Sequence, residues 1–289
     1  MSDGQSESML VSRSSADCCG RLVRVLALIT IVLAFSAFAL ALLASTSAAK
    51  EPGDGSPKIP ILVYHRFGPV VADSMTVTTP VFESHLRYLR DNHYTVIPLR
   101  RFVDYLLGKA PPPPARSVVI TADDGHRSVF TYMLPMAKRY HIPVTLFIYP
   151  SAISNASYAM TWEQLSELKR TGLFDIQSHS YWHPNFKKEK RRLPAPEYEK
   201  MVDMQLTKSK SQLEKRLGGT VEVLSWPFGI CDNELIERAR KAGYIAAFTL
   251  ERRPASQSDN IMEIPRYLMT DAVRGKVFGR LVAGESSRQ

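Results

Sequence analysis

Two short stretches hold the residues with the most chemical capacity. One is Thr121-Ala122-Asp123-Asp124-Gly125-His126, the other His179-Ser180-Tyr181-Trp182-His183-Pro184. The carboxylates follow a β-branched run, Ser117 to Thr121, that reads as a buried strand ended by Gly125. Neighbouring strand side chains point to opposite faces, so Asp123 and Asp124 would not ordinarily share a pocket. At a strand end twisting into a glycine turn both can reach one. Two carboxylates there repel unless a cation lies between them or one is protonated. Taken alone, Asp-Asp-Gly is also an ordinary surface turn. His179 and His183 stand four apart, which would set two imidazoles on one side of a helical turn, close enough to grip one ion. Pro184 limits how far that helix could run.

Taken together, the two stretches predict a metal site. Two histidines and one carboxylate leave coordination positions open, the catalytic arrangement rather than the structural one. The set suits zinc foremost, and also nickel, cobalt or non-haem iron(II). The residues alone leave two enzyme classes open: a hydrolase that activates water at the metal, and an iron oxygenase. The second carboxylate favours hydrolysis, with Asp124 on the metal and Asp123 taking a proton from water.

These residues need a scaffold, and from Ile59 onward strand and helix patterns alternate. Strands are expected at Ile61 to His65, Thr95 to Leu99, Ser117 to Thr121, Val144 to Tyr149, Phe174 to Ser178, Val221 to Trp226, Ala246 to Leu250 and Ile264 to Met269. Helices are expected at Val81 to Asn92, Phe102 to Leu107, Val129 to Tyr140, Trp162 to Arg170, Ala195 to Leu217, Asn233 to Ala242 and Ala272 to Val282. Such alternation predicts a parallel α/β sheet. Without a glycine-rich phosphate loop, it favours a distorted (β/α) barrel of about seven parallel strands over a dinucleotide fold. Chemistry in such barrels collects at the C-terminal strand ends. Those ends carry His65, then Asp123 and Asp124, then His179, then Trp226-Pro227-Phe228-Gly229.

In that order, Thr-Ala-Asp-Asp-Gly, His-Ser-Tyr-Trp-His-Pro and Trp-Pro-Phe-Gly resemble the motifs of the polysaccharide deacetylases of carbohydrate esterase family four. The resemblance runs from about Ile59 to the closing helix. It implies a distorted (β/α) barrel that removes N-acetyl groups from N-acetylglucosamine polymers with one divalent metal. It also implies Asp123 as base and Asp124, His179 and His183 as metal ligands. The chain departs from the family pattern twice. Ser225 and Trp226 stand where an arginine usually tethers the catalytic aspartate, and no histidine follows His183 to serve as general acid. His65, in Leu-Val-Tyr-His-Arg-Phe, is similar in placement to the poly-N-acetylglucosamine deacetylase branch, where late motifs occur early. That makes His65 the expected general acid, with His126 its rival. His85, His93 and His141 read as surface or packing residues. Tyr181, Trp182, Trp226, Pro227, Phe228 and Gly229 are the expected glycan-contacting residues, with the Phe228 backbone N–H as an oxyanion donor.

The expected function is therefore metal-dependent release of acetate from an N-acetylated glycan polymer. A glycan-binding protein of the same fold without turnover is the alternative that the missing arginine and late histidine suggest. An iron oxygenase would leave the second aspartate idle.

The remaining chain bounds where this happens. Of the 289 residues, Val25 to Ala44 form an uncharged run long enough to span a bilayer, with Arg21 and Arg24 on the flank expected to face the cytoplasm. The predicted organisation is a disordered leader (1–24), a transmembrane anchor or signal segment (25–44), a linker (45–58) and a catalytic domain (59–289). That domain would lie in the periplasm or outside the cell, and be secreted if the leader is cleaved near Ser47-Ala48-Ala49. The net charge is +9, and residues 1–49 carry three arginines against three acids, so the excess lies downstream. The densest basic run, Lys187 to Arg192, has no interleaved aromatics, and no nucleic-acid partner is expected. Cys18, Cys19 and Cys231 suggest neither a disulfide framework nor a structural zinc site.

Overall fold

The computed structural model describes residues 57–284. The leader, the apolar segment and nearly all of the linker lie outside the described residues. Among the described residues no helix is long and apolar enough to cross a membrane.

The β-branched runs form strands β1 (Ile61–Tyr64), β4 (Thr95–Val96), β5 (Ser117–Asp123), β6 (Val144–Ile148), β7 (Phe174–Ser178), β8 (Val223–Ser225), β9 (Ala246–Phe248) and β10 (Tyr267–Leu268). They build one parallel sheet in the order β10-β1-β5-β6-β7-β8-β9, with β4 alongside β5. The sheet curls until its edges nearly meet. On one edge Ile264 donates to the Ala247 carbonyl and accepts from the Thr249 N–H, at 2.9 and 2.8 Å. Three residues later β10 pairs with β1 on the other edge. The segment Ile264–Leu268 thus touches both edges, and the α/β architecture is the one the alternation predicts.

The period-two alternation divides each strand between two cores. Leu62, Ile120, Leu146, Ile176 and Leu224 face outward into the helices, while Ile61, Val119, Phe147, Val223 and Phe248 fill the inside of the curl. All seven residues of β5 are buried. That continuous burial is what a parallel strand covered on both faces requires.

Three local differences from expectation have physical reasons. The helix foreseen at Val129 opens as a π-helical turn, Val129–Met133, before the α-helix Leu134–Tyr140. Pro135 stands at that junction and has no N–H to donate to the preceding turn. A helix at Phe186–Arg192 has no apolar period to betray it; the Asn185 side chain caps it and Phe186 anchors it in the core. Two short strands, β2 (Arg66–Gly68) and β3 (Thr76–Thr78), form a separate small parallel sheet beyond the end of β1.

Candidate active site

Asp123 lies on the inward face of β5, in step with Val119 and Thr121. Strand alternation would send Asp124 outward. Instead Asp124 takes a left-handed conformation (φ 72°), and Gly125 follows at φ 71°. Aspartate tolerates that region better than most side chains. The turn lets both carboxylates face one pocket.

His179 follows β7, and its Nδ1 donates to the Ser225 carbonyl at 2.7 Å. That bond leaves the Nε2 lone pair free to bind. Nε2 of His179 lies 3.6 Å and Nε2 of His183 3.7 Å from Oδ1 of Asp124. The three ligand atoms all lie within 4.8 Å of one another. These separations are too long for hydrogen bonds. They are near the roughly 3.3 Å edge expected of a tetrahedral ion with bonds of about 2.0–2.1 Å. Oδ1 of Asp124 is buried with no hydrogen-bond partner among the described residues. An orphaned carboxylate oxygen facing two imidazole lone pairs is the donor set a divalent cation satisfies. Burial and the neighbouring His179 lower the His183 imidazole, which keeps it neutral and able to ligate.

The helical turn expected to bring the histidines together is absent. Ser180 and His183 both adopt left-handed φ values, 62° and 63°, in an irregular loop. Pro184 and the buried Gln205 explain the difference. Oε1 of Gln205, from the helix Ala195–Leu217, accepts from the N–H groups of Tyr181 and Trp182 at 3.1 and 2.9 Å. Ser180 Oγ accepts from the His183 N–H at 3.2 Å. These bonds replace the helical ladder.

The arginine missing before Pro-Phe-Gly comes from elsewhere. Arg266, just before β10, is fully buried. Its Nη1 and Nη2 grip Oδ1 and Oδ2 of Asp123 at 2.9 and 2.7 Å. Nη2 also donates to Ser225 Oγ at 2.6 Å, and that hydroxyl donates to Oδ2 of Asp123 at 3.0 Å. Nε donates to the Thr249 carbonyl, and the guanidinium lies over the Phe147 ring. Burial alone would raise the Asp123 carboxyl. The Arg266 charge, His179 and the Arg266 hydrogen bonds outweigh it and hold the group well below the usual carboxylate range. The sequence did carry a signal: Arg266 is a lone charge within Ile264-Pro265-Arg266-Tyr267-Leu268-Met269. An arginine in an apolar strand demands a buried anion.

His65 is 8% exposed, and its Nδ1 has no partner among the described residues. Burial lowers its imidazole against the opposing pull of Asp123 and Asp124, so it sits within electrostatic reach of both. His126 is instead fixed at the rim, with Nδ1 bonded to Ser128 Oγ at 2.8 Å and its ring parallel to Tyr158. His85 is a packing residue, stacked on Phe278 at 4.0 Å.

The expected sugar-contacting residues separate sharply. Trp226 is fully buried, and its indole N–H donates to the Met262 carbonyl at 2.9 Å. It therefore cannot touch a polymer, which corrects the expectation. Pro227 is also buried. Gly229 (φ 66°) has no room for a side chain, since a Cβ would come within 2.9 Å of the Leu250 backbone nitrogen. This tight turn lifts Phe228 into solvent, 55% exposed, with its ring 4.5 Å from that of His183. Trp182 is exposed, while Tyr181 lies half-buried under the Lys208 ammonium. Two tyrosines that were not foreseen extend the rim. The Tyr149 ring lies 5.4 Å from His183, and its hydroxyl bonds Tyr158 Oη at 2.6 Å. Phe228, His183, Tyr149, Tyr158 and His126 thus form a continuous arc of rings beside the carboxylates.

Residues 110–247 match the polysaccharide deacetylase family. The chain carries a polysaccharide deacetylase domain. It belongs with hydrolases of non-peptide carbon–nitrogen bonds. It is 27% identical over 201 residues to a poly-β-1,6-N-acetyl-D-glucosamine N-deacetylase of Staphylococcus epidermidis, with 68% of each chain covered. Among solved structures, the deacetylase PplD of Streptococcus pyogenes superposes with a TM-score of 0.70 at 19% identity, covering 78% of this chain and 99% of that one. IcaB of Ammonifex degensii superposes with a TM-score of 0.68 at 24% identity, covering 79% and 97%. These two likenesses establish the shared fold.

Proposed function

We propose that this domain hydrolyses N-acetyl groups from a β-1,6-linked N-acetylglucosamine polymer, releasing acetate. The observation that carries the reading is the Asp123–Arg266 pair beside the orphaned Asp124 oxygen and the His179 and His183 imidazoles. The likeness to the staphylococcal enzyme supports the choice of glycan. Asp124, His179 and His183 would hold one divalent ion, zinc foremost, with nickel, cobalt or iron(II) compatible with the same donors. Bound there, such an ion supplies Lewis acidity that polarises the acetamide carbonyl and makes water easier to deprotonate.

The chain's own residues supply the rest. Asp123, kept ionised by Arg266, accepts a proton as water attacks the carbonyl carbon. Arg266 and Ser225 fix its orientation, so attack meets a pre-aligned base. The Phe228 N–H is the proposed donor to the developing oxyanion. As the carbon–nitrogen bond breaks, His65 is the proposed donor of a proton to the departing nitrogen. The products are acetate and a free glucosamine amine. The exposed arc from Phe228 to Tyr158 offers ring faces to the polymer.

Arg266 disfavours a binding protein without turnover, since one of the two features whose absence suggested it, the tether on Asp123, is present. A dedicated guanidinium on Asp123 also disfavours an oxygenase in which that carboxylate is idle. We further propose that residues 25–44 anchor the domain at the outer face of a membrane; protease accessibility in intact cells and in lysed cells would test this. The central experiment follows acetate release from β-1,6 oligomers and from chitooligomers, with and without chelator, for the natural chain and Asp123→Asn. Chelator-sensitive release on the β-1,6 series, abolished by Asp123→Asn, is expected. Turnover surviving in the variant would overturn the assignment.

A further inference from the structure

A second concavity is lined by chain that follows directly on His183 and Phe228. It encloses about 400 Å³ between the helix Phe186–Arg192 and the segment Ile230–Leu235. Two of its walls continue directly from the active site. Phe186 comes three residues after His183, and Ile230 two residues after Phe228.

Its lining has two halves. The floor is apolar, made by Phe186, Ile230, Leu235 and the ring of Tyr198. The mouth is cationic, with Lys187, Lys190 and Arg191 against the single carboxylate of Asp232. Lys190 is already spoken for, bonded to Asp232 at 2.9 Å and Glu234 at 3.0 Å. Lys187 and Arg191 stand four apart on one helix face, and neither makes an ion pair among the described residues. The Tyr198 side chain is 2% exposed, and its hydroxyl has no hydrogen-bond partner among the described residues. A buried phenol without a partner costs stability unless something fills the role. Nothing in the deacetylation chemistry uses it.

We infer that this cavity is an accessory subsite for an anionic substituent on the glycan, a carboxylate or phosphate carried on a short apolar stem. The stem lies on Phe186, Ile230 and Leu235, Tyr198 donates to the linking oxygen, and Lys187 and Arg191 pair with the terminal charge. The inference rests on the deacetylase reading only for the direction in which the polymer runs. The domain's positive charge then has a specific use, in recognising substituted over plain polymer.

The test compares three β-1,6-linked N-acetylglucosamine tetramers: plain, singly O-glutarylated and singly O-phosphorylated. The glutaryl and phosphoryl arms tell an acyl carboxylate from a phosphate. For the natural chain the preferred substituted tetramer should show KM roughly tenfold below the plain one. In Lys187→Gln/Arg191→Gln that ratio should fall towards one, and Tyr198→Phe should lower it in part. Because the ratio is taken within each variant, a general folding defect does not imitate the result. A binding readout free of turnover uses Cys231, which lines the cavity. A fully de-N-acetylated, O-glutarylated tetramer has no acetamide to lose, yet it should slow modification of Cys231 by a methanethiosulfonate reagent, followed on the Cys231 peptide by mass spectrometry. Protection without any acetate release in the first assay would leave the subsite standing and remove the deacetylase reading. Equal KM values for all three tetramers, or a preference surviving in the double variant, would overturn the subsite, as would unprotected Cys231.

Discussion

Arg266 and Asp123 stand 143 residues apart in the chain and face each other through two parallel hydrogen bonds, both residues fully or almost fully buried. The fork matches the carboxylate edge to edge, a geometry lysine cannot reproduce. Arg266→Lys should keep the charge, lower kcat by about 100-fold and leave metal content intact, because misorientation of a base costs rate more than binding. Arg266→Ala should instead cost about 3–5 kcal/mol of stability, since it strands a buried carboxylate. Acetate assays, elemental analysis and urea unfolding separate the two outcomes. Full activity in Arg266→Lys would show that Asp123 needs no fork.

The loop that carries the proposed ligand His183 is held by a residue outside the proposed metal site. Gln205 accepts from two consecutive N–H groups of the loop that ends in His183. Gln205→Leu removes that acceptor while keeping the volume. Zinc affinity is expected to fall by about 10–100-fold, the usual effect of losing an outer support. Competition with a fluorescent chelator measures it. Asp124→Asn should bind weakest of all, because it removes the only anionic ligand.

Trp226 and Phe228, one proline apart, should respond in opposite ways. Trp226→Ala empties a core position and loses the bond to Met262, costing about 3–5 kcal/mol. Phe228→Ala should leave the unfolding midpoint almost unchanged and raise KM for long oligomers by roughly fivefold, the worth of one exposed ring face. A KM unaffected by Phe228→Ala would remove that ring from the substrate path.

His85 gives the fold a dependence on acidity that is separate from catalysis. Its Nε2 donates to the Val273 carbonyl and its Nδ1 accepts from the Tyr64 hydroxyl. Burial lowers its pKa to about 4 from an unfolded value of about 6.5. The unfolded chain therefore binds more protons between those two values. The stabilisation is whole above about 6.5 and is lost as pH falls towards 4. Urea midpoints between pH 7 and pH 4.5 should drop, and His85→Gln should flatten the slope. An equally steep slope in the variant would assign the effect elsewhere.

What the sequence made legible was which reactive side chains come together at the strand ends. Asp123, Asp124, His179 and His183 announce themselves because acids and imidazoles at strand ends have few structural uses. The strand–helix alternation was equally plain, since parallel strands must be apolar throughout. Two things were hidden. Trp226 and Phe228 look equivalent in a linear motif, and only the left-handed turn at Phe228-Gly229 decides which one meets solvent. Arg266 was hidden because its partner lies on β5, brought near only by the curl of the sheet. The His-x3-His spacing did lead to convergence, but through left-handed loop residues rather than a helix.

The closing segment Ile264–Leu268 places the partner of Asp123 at the seam between the two sheet edges. Every proposed metal ligand, and the proposed base, precedes residue 184, yet the guanidinium that grips that carboxylate sits in the segment that joins the two sheet edges. On the proposed mechanism, orientation of the base thus depends on closure of that seam.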